Sequence, residues 1–421
     1  MAKRFGVVLS LLAFVWRRLM FRTTFIAVTG SLGKTTTTRM LATTLATRFP
    51  INSTRGANNS RLGLTRSMLR TRPGHKYAVL EVGTKRPGAL RRAAWLVDPD
   101  MVVILNVART HLEYFPTLDD IAAEKETLLS RMKGRGTLIV NGDDPRVMWI
   151  ASRFSGRVRT FGMSDRFDVW ASDVSSRWPS RLEFAVHAGG ESRRVRTQLV
   201  GEQWVLGTMA AISVALECGM DLDSAVKGAE QAQPYVGRMQ PAPVPSGAVF
   251  LRDDFSPSPD SWLAALRVMA DADANRKMVA ISDLDHPGVP VEERMRTIGQ
   301  TSAKVMDVAI FFGEHGGAAA ASAIEAGMKP ESVHAFPSQR EAGQFLRGEL
   351  RAGDLVLLRP SMTDKPERIY YTQFGEVGCT RFHCALTHLC DACPQLRPTL
   401  EKIAEVPPDV RPQWHSPAGK P

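Results

Sequence analysis

A chain of 421 residues and 46.3 kDa exceeds one ordinary domain, so two or three domains with a sizeable core are expected. Hydrophobic residues at 44 % and charged residues at 23 % match soluble globular proteins, which excludes wholesale disorder, a collagen-like repeat and a polytopic membrane protein. The 54 Lys and Arg against 43 Asp and Glu leave +11, and residues 1–97 alone carry 18 Lys and Arg with a single acidic residue, Glu81. So one-sided a block suits an anionic partner, such as nucleotide phosphates or an anionic lipid surface, or forms a merely solvated basic face. Nucleic acid is not expected, because no aromatic-interleaved reading motif accompanies the cations.

At the amino terminus, Lys3 and Arg4 precede the apolar run Phe5 to Trp16, and Arg17 and Arg18 follow it at once. Its twelve residues reach about 18 Å as a helix, short of the roughly 30 Å hydrocarbon core, so a membrane span is not expected. No small-residue cleavage site follows, so a secretory signal fits poorly, and export would carry the nucleotide-type motif that comes next away from ATP. A cytoplasmic place is expected, either free or peripheral at the inner face of the membrane. Residues 5–22 read as a helix at a membrane interface, with Trp16 and the arginines at headgroup level, or as one packed on this protein or on a membrane-associated partner.

Phe25-Ile-Ala-Val-Thr29 reads as a buried strand, Gly30-Ser31-Leu-Gly33-Lys34 as a tight loop, and Thr35 to Thr47, with Thr36 in its first turn, as a helix. Glycines let backbone N–H groups approach phosphate, and the helix N-terminus adds positive potential. Lys34 reaches the β- and γ-phosphates, and the Thr35 hydroxyl can hold Mg²⁺. These residues form a nucleotide site. The common phosphate loop has a glycine where this chain has Val28, so the loop is a variant. TGSLGKTTT resembles the loop of the Mur ligases, the ATP-dependent amide-forming enzymes of peptidoglycan synthesis.

Further segments resemble that family in its order. Tyr77 to Gly83 (YAVLEVG) is a strand carrying the carboxylate of Glu81, and Gly88 follows in TKRPGAL. Met101 to Val107 is a third strand with His111 just past it, IAAEKETLL sets Lys125 on a helix, and TLIVNGDD supplies Asn141, Asp143 and Asp144. Ligands of open α/β sheets sit beyond the carboxyl ends of strands, where Lys34, Glu81 and His111 would converge. The resemblance implies that Glu81 and His111 bind Mg²⁺, that CO₂ carbamylates Lys125 into an anionic Mg²⁺ ligand, and that Asn141 and Asp144 meet the nucleotide.

Alternation in RLEFAVHA and RRVRTQLV predicts antiparallel strands between Arg157 and Val200, and an apolar helix follows over about Val205 to Cys218. Arg238, in QPYVGRMQP, matches the family arginine that approaches ATP phosphates. From Gly247 onward, the strands MVAISDL, VAIFFG and DLVLLRPS alternate with helical stretches such as Asp260–Ala270 and Glu293–Met306. That alternation predicts a second, smaller Rossmann-like α/β domain with a mostly parallel sheet. It resembles the third Mur ligase domain, particularly of members that add D-alanyl-D-alanine to a muramoyl-tripeptide. DDFSPSPDS stands where they have DDsYNANPdS, so Asp253 or Asp254 would meet the nucleotide, and Gly353-Asp354 matches the GDvVLvKGS turn.

The departures bear on the substrate. Tyr-Asn-Ala-Asn is here Phe255-Ser-Pro-Ser258, GrHN is Gly201-Glu-Gln-Trp204, and KGS is Arg359-Pro-Ser361. Each lost amide or imidazole changes the hydrogen bonds a substrate can find, at ~1–3 kcal/mol apiece. ATP binding is therefore a firmer expectation than substrate identity. Only about 23 residues precede the first strand, so the family's N-terminal UDP-binding domain is expected to be missing. The acceptor then lacks UDP, is held by a partner, or arrives on a lipid.

Cys379, Cys384, Cys390 and Cys393 fall within fifteen residues, with His383 and His388 interleaved. Four thiolates suffice for tetrahedral Zn²⁺ or an iron–sulfur cluster, while free thiols and a redox disulfide stay open. The expected organisation is residues 1–23 as the N-terminal segment, 24–240 as a central phosphate-loop ATP domain and 241–365 as the C-terminal α/β domain. Residues 366–405 form a Cys-rich extension and 406–421 a flexible tail rich in proline and polar groups. The function implied is an ATP-dependent carboxylate–amine ligase working through an acyl phosphate on small-molecule substrates, with Lys34, His111, Lys125 and Arg238 as catalytic groups. A polyglutamate-type or other amino-acid ligase is one rival, and an ATP-binding scaffold of a membrane assembly is the other.

Overall fold

The computed structural model describes residues 2–56, 59–84, 86–109, 114–255, 259–284, 288–359, 363–384, 386 and 389–396. The chain divides into two compact units, Met1–Ser175 with Leu182–Gln198 and Glu202–Gln233, and Ser176–Arg181 with Leu199–Gly201 and Pro234–Pro421.

In the first unit α1 (Ala2–Leu19) runs into β1 (Thr24–Thr29), and strand and helix then alternate. The series is α2 (Lys34–Ala46), β2 (Ile51–Ser53), α3 (Arg61–Leu69), β3 (Tyr77–Glu81), α4 (Ala89–Val97), β4 (Met101–Ile104), α5 (Leu118–Glu126), β5 (Thr137–Asn141) and α6 (Pro145–Ser152). β6 (Arg157–Gly162), β7 (Val169–Ser175), β8 (Glu183–Ala188) and β9 (Glu191–Arg196) extend the sheet, followed by α7 (Val205–Glu217) and α8 (Leu222–Glu230). The strand order is β2-β3-β1-β4-β5-β6-β7-β8-β9, parallel from β2 to β7 and antiparallel beyond.

β1 lies between β3 and β4 and must be apolar on both faces; Phe25, Ile26, Ala27 and Val28 are all inaccessible to solvent. The period-two pattern of β8 and β9 instead leaves alternate residues in water. α2 opens on four threonines, weak helix formers by themselves. It is helical because α7 and α8 cover it, with Thr35, Thr36, Thr37 and Thr38 all buried.

α1 packs on α3 and α4 of its own unit. Trp16 Nε1 donates to the Thr71 carbonyl at 2.8 Å, while Arg17 donates to the Val97 and Asp98 carbonyls and pairs with Asp100 at 3.0 Å. No helix among the described residues is long and apolar enough to cross a membrane.

The second unit holds β10 (Gln240–Pro243), β11 (Val249–Arg252), α9 (Pro259–Asp271), β12 (Arg276–Ile281), α10 (Val291–Ala303) and β13 (Val308–Phe312). It continues through α11 (Gly316–Glu325), β14 (Val333–Phe336), α12 (Gln339–Glu349), β15 (Asp354–Leu358) and α13 (Glu367–Thr372). The order β10-β11-β15-β12-β13-β14 is parallel except for the β10–β11 pair, the Rossmann-like alternation expected. Past α13, the Cys-rich segment feeds Cys390, Cys393 and Leu396 into the same core as Phe250, Tyr370 and Tyr371.

Candidate active site

β1 delivers the chain at Thr29 into a four-residue turn that starts α2. Gly33 caps that helix at φ +79°, a backbone region that side chains disfavour. Gly30 passes so close to the next strand that a Cβ would lie 2.9 Å from Leu105 Cβ. Asn106, two residues beyond β4, fixes the turn from outside. Its Oδ1 accepts the N–H groups of Ser31 and Leu32 at 3.0 and 2.9 Å, and its Nδ2 donates to the Leu32 carbonyl at 3.2 Å. Ser31 Oγ in turn accepts the Ala108 N–H at 2.9 Å. Lys34 folds its ammonium onto the carbonyls of Gly30 (2.7 Å) and Ser31 (2.9 Å), within the loop that would present it to phosphate.

Glu81 ends β3 and is 1 % exposed. Oε1 accepts from Asn59 Nδ2 at 2.8 Å, whereas Oε2, also buried, has no hydrogen-bond partner among the described residues. Leaving a buried acceptor unpaired costs about 1–3 kcal/mol. A hard cation is the partner that would offset this, so the oxygen fits Mg²⁺. His111, the expected companion of Glu81, lies outside the described residues.

Lys125 on α5 is 2 % exposed. Loss of water and then the nearby Lys34 ammonium push its amine down to about 7, against the pull of Asp144 and Glu124. At neutral pH about half of it is the free, nucleophilic amine. Glu124 beside it accepts the N–H groups of Gly88 and Leu90, both at 2.8 Å, and so holds the N-terminus of α4 from α5. Asp144 caps α6 through Oδ1, accepting from Arg146 and Val147, and through Oδ2 takes the Val107 N–H at 2.7 Å. Asn141, at the end of β5, accepts the Asp143 N–H at 3.0 Å. Lys34 and Glu81 are thus each fixed by hydrogen bonds, and Lys125 lies within the electrostatic reach of Lys34, Asp144 and Glu124, all in this one unit.

In the second unit Arg238, Asp253 and Asp254 come together past the end of β11. Gly237, at φ +71°, lets the preceding turn press against Asp254, where a Cβ would collide with Oδ1. Asp253 accepts the Met239 N–H at 3.2 Å and pairs with Arg359, which also donates to Ser261 Oγ at 3.0 Å. Burial pushes the Asp253 carboxyl up to about 6, although Arg359 and Arg238 both oppose it. The Arg238 guanidinium lies 4.8 Å above the Phe255 ring. Ser256, Pro257, Ser258 and Ser361 lie outside the described residues.

The zinc expectation is not carried by the cysteines. Among the described residues no three His, Cys, Asp or Glu side chains stand together as metal ligands, and His388 lies outside them. Cys390 and Cys393 are buried in apolar core with Cys379 packed against it, and Cys384 is buried as well. Burial, then Glu367, push the Cys390 thiol up. Among the described residues they pack as small hydrophobes.

Known proteins match both units. The Mur ligase middle domain matches residues 28–215, and the Mur ligase glutamate ligase domain matches residues 237–362. A UDP-N-acetylmuramoyl-tripeptide–D-alanyl-D-alanine ligase of Mycobacterium bovis is 29 % identical over 362 residues, covering 80 % of this chain and 70 % of the relative. Its Bacillus subtilis namesake is 27 % identical over 349 residues, 82 % and 75 % of the two chains. Among solved structures, MurF from Acinetobacter baumannii aligns with a TM-score of 0.77 at 28 % identity, over 85 % of this chain and 77 % of that one. MurF ligase from Thermotoga maritima, solved in complex with ADP, shares the fold with a TM-score of 0.74 at 23 % identity, over 87 % and 82 %. With two domains matched in the family's own order over the phosphate loop and the Rossmann-like unit, the chain belongs to the Mur ligase family and is an ATP-dependent carbon–nitrogen ligase of peptidoglycan synthesis.

Proposed function

We propose that the chain joins the carboxylate of a muropeptide precursor to the amine of D-alanyl-D-alanine or a similar small amine. The observation that supports this most is the buried Lys125 amine, held near Lys34 in the same unit as the half-satisfied carboxylate of Glu81. The substrate carboxylate attacks the γ-phosphorus of ATP, the bond to the bridging oxygen breaks, and ADP leaves. The amine then attacks the acyl carbon, inorganic phosphate departs with the C–O electron pair, and the nitrogen sheds a proton. Negative charge gathers on the transferring phosphoryl group throughout, so fixed cations and N–H donors are the main catalytic need.

Lys34 and the loop N–H groups meet that charge directly, and the family resemblance gives Arg238 a role toward ATP phosphates. Thr35, Glu81 and His111 would hold Mg²⁺, which supplies further charge neutralisation when bound. Lys125 attacks CO₂ as the free amine and loses a proton, giving a carbamate whose negative charge replaces the ammonium's positive one. Asn141 and Asp144 are the further nucleotide contacts of the phosphate-loop unit, and the resemblance gives either Asp253 or Asp254 a nucleotide contact of its own.

Phosphate release from ATP tests the reading. With UDP-N-acetylmuramoyl-tripeptide and D-alanyl-D-alanine both present, release is expected, and withdrawal of either should stop it. Release supported instead by glutamate and a non-muropeptide acid would move the enzyme to the polyglutamate type. ATP bound without release under every pair would sink the ligase assignment of these substrates. In the same assay Glu81→Gln, which keeps an oxygen for Asn59, is expected to cost about 100-fold in turnover and to raise the Mg²⁺ concentration at half-maximal rate. An unchanged Mg²⁺ dependence would remove Glu81 from the metal site.

A further inference from the structure

α1 buries one side and leaves the other in water. Ser10, Ala13, Arg17 and Met20 face inward, while Val8, Leu11, Leu12, Val15 and Leu19 are 52–57 % exposed. These five recur every three or four residues, so they form one continuous apolar stripe along the helix. Phe21, 79 % exposed, extends the stripe past the helix end, and Leu62 of α3 and Trp95 of α4 add exposed apolar surface from the helices on which α1 packs. A soluble domain rarely leaves so much contiguous apolar side chain uncovered without a partner for it.

The charge around the stripe identifies the partner. α1, α3 and α4 contain no aspartate or glutamate anywhere in their sequences. Arg18, Arg22, Arg61, Arg66, Arg91 and Arg92 of these helices and the turn after α1 are exposed. Trp95 stacks on Phe14 at 3.9 Å and the Arg18 guanidinium lies 3.5 Å from the centre of the Phe14 ring, a column of cation and two aromatics that joins α1 to α4. Apolar surface edged by arginines and an amphipathic tryptophan matches the depth profile of a bilayer, with acyl chains below and phosphates at the rim. The bonds of Trp16 and Arg17 to residues 71 and 97–100 hold α1 flat against its domain, so it would lie in the interface and not cross it.

We propose that α1, α3 and α4 together dock this enzyme onto an anionic lipid bilayer. The surface is separate from the ligase chemistry, since these three helices contribute none of the groups assigned to ATP. A solvated basic face would account for the arginines but not for the exposed stripe.

Cosedimentation of the full chain with lipid vesicles tests the proposal. Vesicles containing 30 % phosphatidylglycerol in phosphatidylcholine should bind at least about 10-fold more protein than pure phosphatidylcholine, and 0.5 M salt should reverse most of that difference. Leu11→Asp/Val15→Asp should lower binding at least about 10-fold with an unchanged melting temperature; if that pair does not fold, Val8→Ser/Leu12→Ser serves the same purpose. Arg18→Glu/Arg91→Glu should weaken binding to the anionic vesicles alone. Wild-type binding by the stripe variants, or no binding to either vesicle, overturns the proposal. So does a wild-type dimer in vesicle-free sedimentation that the stripe variants convert to monomer, because a second copy would then cover the face.

Discussion

Lys125→Ala is expected to lower ATP-dependent ligation by about 10²–10³-fold, the scale set by loss of one preorganised charge-stabilising group, while ATP affinity changes only a few-fold. The reason lies in the surroundings of the amine. An ordinary exposed lysine is about 0.3 % neutral at pH 8, whereas one with a pKa near 7 is about 90 % neutral and can capture CO₂. Activity of the wild-type enzyme should therefore fall in buffer stripped of CO₂, return on adding bicarbonate, and rise with pH between about 6 and 8. Small carboxylates such as acetate should restore part of the lost rate in the alanine variant, because they supply the missing negative charge without the tether. Full activity of Lys125→Ala, or indifference of the wild type to bicarbonate, would end the carbamate proposal.

The same residue makes a stability prediction whose sign can be worked out. In the unfolded chain the lysine stays protonated until about pH 10.5, whereas in the folded chain it releases its proton at about 7. The unfolded state thus binds more protons across that interval, so stability rises with pH between about 7 and 10.5. Below 7 both states are protonated and the cost of burying the ammonium is present in full. Lys125→Met should flatten this part of the melting profile in CO₂-free buffer.

Much of the ATP-binding unit was legible because its chemistry has a local signature. Gly30, Gly33, Lys34 and Thr35 are spaced by the geometry of one loop, and the apolar strand before them and the carboxylate ending β3 are periodic features of the sequence. Asn106 and Glu124 were not legible. Each acts by accepting backbone N–H groups from a segment more than thirty residues away, Asn106 from Ser31 and Leu32, Glu124 from Gly88 and Leu90. Any polar side chain with an acceptor oxygen could have been read there, and only the tertiary packing of strands and helices says which one arrives. The cysteines are ambiguous for a different reason. Their close spacing looks like ligation, but apolar burial is what small thiols also serve, and spacing alone does not separate the two. The replacement of the family's lysine by Arg359 becomes intelligible only with its partners, since the guanidinium is fully buried against Asp253 and Ser261.

The largest loss of stability is expected from Arg252→Met. Arg252 ends β11 at 2 % exposure and meets two carboxylates, Asp254 at 2.8 Å through Nε and Asp391 at 2.8 and 2.9 Å through its two terminal nitrogens. Burial works against its charge, yet Asp254 and Asp391 outweigh that and raise its pKa further. Removing the guanidinium strands two buried carboxylates, at a cost of about 3–5 kcal/mol and on the order of 10 °C in the melting of a unit this size. Asp391→Asn should cost less, because Asp254 still balances the arginine. Arg252→Met/Asp391→Leu should fall short of the sum of its parts, since the two residues share one interaction. Burial would by itself raise the Asp391 carboxyl, but Arg252 holds it below its ordinary value. Its contribution is therefore present above about pH 4 and is lost as pH falls through the folded value. Asp391 belongs to the Cys-rich segment and Arg252 to the sheet, so this pair is what anchors that segment's charge inside the Rossmann-like unit. Proteolysis of the segment should then accelerate in Arg252→Met in proportion to the lost stability. Wild-type melting and wild-type cleavage in that variant would mean that the apolar contacts of Cys390, Cys393 and Leu396 hold the segment without help.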